Sequence, residues 1–273
     1  MNMNTRCSIL LAAVFSITLA SAHAQIGMGP GGASGPSFGG ATAALFGKNS
    51  NFTATVELQV KGATPEPASM PGKLTVASGF SRFELDTSEI KGGGMPEGAA
   101  AQMKSMGMDK MIMVTRPDKK LTYLIYPGLQ SYAEMALQDP EAAMPASDFK
   151  VELTELGKET VDSHACVKNK AVVTDTKGVA HTANLWNATD LKNFPVKIEQ
   201  SEGNTEVTML FKNVKLEKPD AALFDPPKDN TRYESIQAMI QQVMLKRFSG
   251  GAAGAVPQTS PKKPEEPTKQ PQP

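Results

Sequence analysis

Between Phe52 and Lys61 apolar and polar residues alternate without a break. Phe52, Ala54, Val56, Leu58 and Val60 hold one set of positions, and Thr53, Thr55, Glu57, Gln59 and Lys61 hold the other. A period of two puts every second side chain on one side of an extended chain, so this stretch is a strand with one buried face. Ten further segments read as strands: KLTVAS, RFELD, MIMVTR, LTYLIY, SYAEM, FKVELTEL, ACVKNKAVVTD, AHTANLWN, PVKIEQ and NTEVTMLFKNVKLE. The turn-rich loops between them are short enough to make neighbours antiparallel. The chain is therefore expected to be mainly β, a meander of about eleven strands.

The middle of the meander breaks the one-faced pattern. With Pro117 to Lys120 as one turn and Gly128-Leu129 centring the next, one face collects Ile112, Val114, Leu121, Tyr123, Ile125 and Tyr132. The other collects Met111, Met113, Leu124, Tyr126 and Met135. Both faces are apolar, so both need cover. Two helical segments are available to supply it. EGAAAQMKSM, Glu97 to Met106, suits a short helix over the sheet. In TRYESIQAMIQQVMLKRF, Thr231 and Glu234 have the spacing of a capping box. Tyr233, Ile236, Met239, Ile240, Val243 and Met244 make one stripe, and Lys246 and Arg247 suit the negative helix end. The segment around Ala44-Phe46 is a further candidate for cover.

The ends differ in composition from the middle. Arg6 precedes an apolar run from Ser8 to Leu19, and Ala22-His23-Ala24 forms a small-x-small site, the signature of a secretory signal peptide over 1–24. That run is too short to span a bilayer, and no later segment reaches the roughly 20 apolar residues of a membrane helix. Residues 25–40 read as a Gly-rich flexible leader, and 249–273 as a disordered Pro-rich tail. The domain between is expected over 41–230, with the C-terminal helix over 231–248. Cleavage near Gln25 leaves Cys166 as the single cysteine, so the core must hold without an internal disulfide. With 28 basic and 28 acidic residues the formal charge is zero, which argues against nucleic acid and other polyanions as partners.

Three motifs in order carry a resemblance. VTRPDKKLTYLIYPGLQSYAEM, NLWNATDLKNFPVKIEQ and VTMLFKNVKLEKPDAALFDPPK resemble segments of the periplasmic outer-membrane lipoprotein carrier (LolA-like) superfamily over residues 41 to 229. The resemblance implies an open, unclosed antiparallel β-barrel with covering helices, and a cavity that takes acyl chains. The chain departs from the carriers at TVASGF, where Ser78-Gly79 stand in place of a basic residue and a proline. The closer likeness is to the superfamily's uncharacterised exported relatives.

Groups that carry chemistry are sparse. His164 and Cys166 stand two apart on one strand, close enough to share a metal, but His181 falls about 30 Å along the strand from His164. No carboxylates cluster there to complete a zinc set. Cys166 has no patterned base, and KGGGMPEG reads as a flexible loop rather than a phosphate cradle. An enzyme is not expected, and neither is a cofactor. Met95, Met103, Met106, Met108, Met111 and Met113 crowd one segment. Thioethers are soft ligands for Cu(I), and they also fill irregular apolar gaps.

These readings predict an exported, periplasmic protein that binds an acyl chain or another hydrophobic ligand in the barrel. The expected cavity lining is Val56, Leu58, Leu74, Phe83, Ile112, Val114, Tyr123, Ile125, Tyr132 and Trp186, with Met103, Met106 and Met108 as a lid. The alternatives are an envelope interaction module that recruits a protein partner and carries no ligand, and a Met-rich Cu(I)-binding protein.

Overall fold

The computed structural model describes residues 38–137 and 141–249. The expected signal peptide, most of the expected leader and nearly all of the expected tail lie outside them. Twelve strands form one sheet: β1 (Asn51–Lys61), β2 (Ala68–Ala77), β3 (Phe80–Asp86), β4 (Lys110–Arg116), β5 (Leu121–Tyr126), β6 (Ser131–Ala136), β7 (Lys150–Val161), β8 (His164–Thr174), β9 (Ala180–Ala188), β10 (Phe194–Glu202), β11 (Thr205–Lys215) and β12 (Thr231–Tyr233). Three α-helices accompany them: α1 (Gly40–Ala44), α2 (Ala99–Ser105) and α3 (Ile236–Ser249). The strand order is β12-β6-β5-β4-β3-β2-β1-β11-β10-β9-β8-β7. β12 and β7 end the sheet without pairing to each other, so the barrel is open.

The first eleven strands pair antiparallel with their neighbours, and local turn chemistry explains the hairpins. Pro117–Lys119 and Pro127–Leu129 are matching one-turn 3-10 segments, each closed by a residue in the left-handed region, Lys120 and Gln130. Proline presets the first turn dihedral in both. Asp162 and Ser163 both have positive φ, as the two-residue β7–β8 turn requires. Asp175 Oδ1 accepts from the amides of Lys177 and Val179 and closes the β8–β9 turn.

The twelfth strand was not expected. Thr231 and Glu234 do not form a capping box, because Thr231–Tyr233 is extended and lies parallel to Ser131–Ala133. The Thr231 amide donates to the Gln130 carbonyl at 2.8 Å. Ser235 takes the capping role instead, its Oγ accepting from the Ala238 amide at 3.1 Å. A backbone ladder against β6 occupies more donors and acceptors than a capping box does, which is why the tertiary pairing wins.

Directly paired residues share a face of the sheet. Following the pairs Ala54–Leu74, Leu74–Phe83, Phe83–Met113, Met113–Leu124 and Leu124–Ala133 traces the inner face. It is packed by the chain itself. The Phe46 ring, just after α1, lies 4.8 Å from Phe52, 5.6 Å from Phe194 and 5.5 Å from Phe211, centroid to centroid. Phe38 meets Phe83 at 5.5 Å. Each fully buried phenylalanine stabilises by about 1.5–3 kcal/mol, so this quartet anchors the β1–β11–β10 side of the barrel.

Candidate functional site

The opposite, outer face is traced from the polar positions of β1. Thr53 pairs with Thr75, Thr75 with Arg82, Arg82 with Val114, and Val114 with Tyr123; Glu84 pairs with Ile112, Ile112 with Ile125, and Ile125 with Tyr132. Ile112, Val114, Tyr123, Ile125 and Tyr132 therefore continue the solvent side of the sheet. The expected ten-residue lining divides between the faces. Val56, Leu58, Leu74 and Phe83 are buried on the inner face. The other six lie outside, since Trp186 pairs with Lys168 and Lys197, and Lys197 leads through Leu210 to Glu57. No single cavity takes all ten. The outer face of β4–β6 carries apolar residues because another element covers it.

That cover is the turn Ala221–Phe224. Phe224 is 1 % exposed and packs against Val114, Tyr123, Ile125, Phe80 and Leu121. Two arginines pin the turn: Arg82 donates to the Leu223 carbonyl at 3.0 Å, and Arg116 donates to the Phe224 carbonyl at 3.2 Å and to Asp225 at 2.6 Å. Arg116 also stacks 4.5 Å from the Phe80 centroid, and Lys119 reaches Asp225 at 3.1 Å. The hydrogen bond from Lys119 is the largest effect on the Asp225 carboxyl, and together with the charges of Arg116 and Lys119 it outweighs burial and holds the group below its ordinary value. Asp118 is lowered too, chiefly by the hydrogen bond from Arg116. The LF-x-x-P motif is thus an apolar latch on the barrel's outer wall.

On the inner face of β4–β6 the cover is different in kind. Met239 of α3 is fully buried against Leu124, Tyr126, Ala133 and Met108, and Ile236, Ile240 and Tyr233 pack beside it. The expected lid residues Met103, Met106 and Met108 join this cluster, as do Met111 and Met135. Met103, Met106, Met111 and Met135 are only half-buried. α2 itself buries none of its seven residues. The Tyr126 hydroxyl has the Met111 sulfur at 3.7 Å as its partner, and burial pushes its pKa up. Thioether sulfur is a weak acceptor, so that contact holds the ring loosely.

Glycine permits the lid to sit so low. Gly107, with φ +71°, lies so close to the β5–β6 turn that a side chain on Gly128 would come within 2.5 Å of the Gly107 carbonyl oxygen. Any β-carbon there forces the lid off its seat. Spacing alone marked the α3 stripe, and the crowding of methionines marked the segment that packs beside it. Sequence reasoning placed Phe46 in a segment available for cover but missed that Phe46, Phe194 and Phe211 pack together and that Phe224 seats on the outer wall, because those contacts join residues far apart in the chain.

Two open recesses of about 450 and 460 Å³ mark the surface. One lies at the ends of β2–β4 among Gly72, Lys73, Glu84, Asp86, Lys110 and Met111; the other lies beside Cys166, Lys158 and Thr189. The histidines are apart, as the strand distance requires. His164 Nδ1 meets Asp190 at 2.8 Å, and His181 Nε2 meets Glu141 at 3.2 Å. Cys166 is buried and donates to the His164 carbonyl, and desolvation raises its pKa. Trp186 is sandwiched between Lys168 and Lys197, whose nitrogens lie 4.6 and 4.2 Å from its ring centroid, and it donates to Glu159 at 2.7 Å. Among the described residues no group of three or more His, Cys, Asp or Glu side chains is placed to hold a metal ion, and no helix is long and apolar enough to cross a membrane.

No family model matches the chain, and no curated protein matches it. Solved structures with a similar chain trace do exist. A LolA superfamily protein from Nitrosomonas europaea is 10 % identical with a TM-score of 0.38, over 68 % of this chain and 97 % of its own. The lipoprotein LppX of Mycobacterium tuberculosis is 9 % identical at 0.36, over 63 % of this chain and 94 % of its own. LprF of Mycobacterium bovis is 13 % identical at 0.36, over 70 % and 93 %. At scores this low the likenesses say nothing about what the chain binds.

Proposed function

We propose that the protein is exported and holds an acyl chain or another elongated apolar ligand between the inner face of β4–β6, the methionine lid and α3. The observation that supports this is the half-buried methionine cluster at a part of the inner wall covered by α2 and α3 rather than by the phenylalanine quartet. Methionine is unbranched and polarizable, so a wall of it reshapes around chains of different form. Entry of a ligand displaces α2, which buries no residue of its own and is flanked by Gly98 and Gly107, both at positive φ. Each methylene buried contributes about 0.8 kcal/mol, offset by the lid contacts that are lost. The ligand site thus shifts from the ten expected wall residues to the lid, Leu124, Tyr126, Ala133 and Met239.

Native mass spectrometry after gentle purification tests this, together with photo-crosslinking by a diazirine fatty acid. Copurified lipid, with crosslinks on Met103–Met111 and on α3, is the expected result. Absence of lipid and of fatty-acid binding overturns it. A second reading, an envelope scaffold without ligand, is favoured by the phenylalanines that fill the β1–β11–β10 side. A protein that binds no lipid but captures a folded envelope partner meets that reading. The Cu(I) alternative would use the same sulfur cluster; protection of Met103 to Met113 from oxidation by added Cu(I), without lipid, distinguishes it.

A further inference from the structure

The two ends of the open sheet are unequal. β12 has three residues, whereas β7 has twelve and, among the described residues, is hydrogen-bonded on one side only, to β8. Long free edges invite pairing with another strand, and charged side chains normally guard against it. β7 carries such charges, but it also carries Leu153 and Leu156, each 53 % exposed.

Leucines three apart on a regular strand point to opposite faces. Here the pairing with β8 shifts between Glu155 and Gly157. Leu153 pairs with Ala171, which is on the inner face through Ala183, Gln200, Val207 and Val60. Gly157 pairs with Lys168, on the Trp186 side, so Leu156 returns to the inner side. The bulge therefore sets both exposed leucines on one face of the free edge.

We propose that two copies of this chain associate edge to edge through β7, antiparallel, about a two-fold axis at Thr154. With Leu156 the extra residue in each strand, Leu153 lies opposite the Glu155–Leu156 bulge of the second copy on the inner face, and Lys150 lies opposite Glu159 of the second copy on the outer face. Both contacts occur twice, as a two-fold axis requires. The strand's charges complement themselves in this register. A two-residue slip sets Glu152 against Glu159 of the second copy and parts the leucines; a one-residue slip turns the leucines away from each other. Glu159 already accepts from Trp186 and Lys168, and its carboxylate has lone pairs to spare for Lys150 of the second copy.

Analytical ultracentrifugation of the protein tests the proposal. A concentration-dependent dimer is expected, and the double substitution Leu153→Lys, Leu156→Lys is expected to sediment as a monomer with an unchanged circular dichroism spectrum. Thr154→Cys in a Cys166→Ala background is expected to form a disulfide between copies, whereas Glu217→Cys in that background is not, because facing strand positions bring Cα atoms within disulfide reach. A wild-type protein that stays monomeric overturns the proposal. So does a dimer that survives the double substitution, or a monomer in which the β7 amides that point away from β8 resist hydrogen exchange, since some other strand then occupies the edge.

Discussion

At the residue scale, identity matters most where backbones or rings meet at close range. Gly128→Ala places a methyl group against the Gly107 carbonyl oxygen and is expected to lift the lid. Increased amide exchange at 99–108 with little loss of global stability checks this. Met239 is fully buried at the centre of the lid cluster, so Met239→Ala is expected to lower unfolding stability by about 2–5 kcal/mol in urea titration. Asp225 supplies a pH dependence. Its folded pKa lies below the ordinary 3.8, so it lends stability above that value and loses it as pH falls through the lowered one. Acid below roughly pH 4 is expected to loosen the Ala221–Phe224 latch, seen as faster amide exchange there, and Asp225→Asn is expected to remove that acid sensitivity. These residues differ in legibility. Met239 stood in a readable stripe, but nothing in the sequence marks Gly107 and Gly128 as neighbours, since their approach depends on where α2 lands.

At the element scale, α3 and the latch are the two pieces that turn a sheet with two apolar faces into a stable one. Ser235 caps α3, and Ser235→Ala is expected to cost about 0.5–2 kcal/mol of stability, measured by chemical denaturation. The control Thr231→Ala leaves the cap intact, because Thr231 is in β12. Phe224→Ala is expected to cost about 3–5 kcal/mol, since it uncovers Val114, Tyr123 and Ile125 together. Elements with a long period were readable: eleven strands lie where the sequence segments put them, and α3 carries the stripe from Ile236 onward, though it begins five residues later than the expected start at 231. β12 was not, because three residues carry no period and it exists only through the free edge of β6. The latch was visible as a motif, LF-x-x-P, but its seat was not.

For the whole molecule, the open sheet leaves one wall plugged by aromatic rings, one wall covered by mobile-chained methionines, and one long edge that is free among the described residues. Ligand binding at the methionine wall is expected to protect α2 and α3 from exchange while leaving β1, β10 and β11 unchanged, because the phenylalanine quartet already excludes solvent there. The sequence by itself determined the class of fold, since a period of two repeated along a chain permits little but a sheet. It also determined that the central strands are covered on both faces, and even which of their residues share a face, because alternation within a strand is a local property. Only the tertiary structure decided which of those faces is inner and which is outer. That depends on how distant strands stack their registers and on which turn or helix comes to rest on each side, relations between residues far apart in the chain that no local pattern encodes.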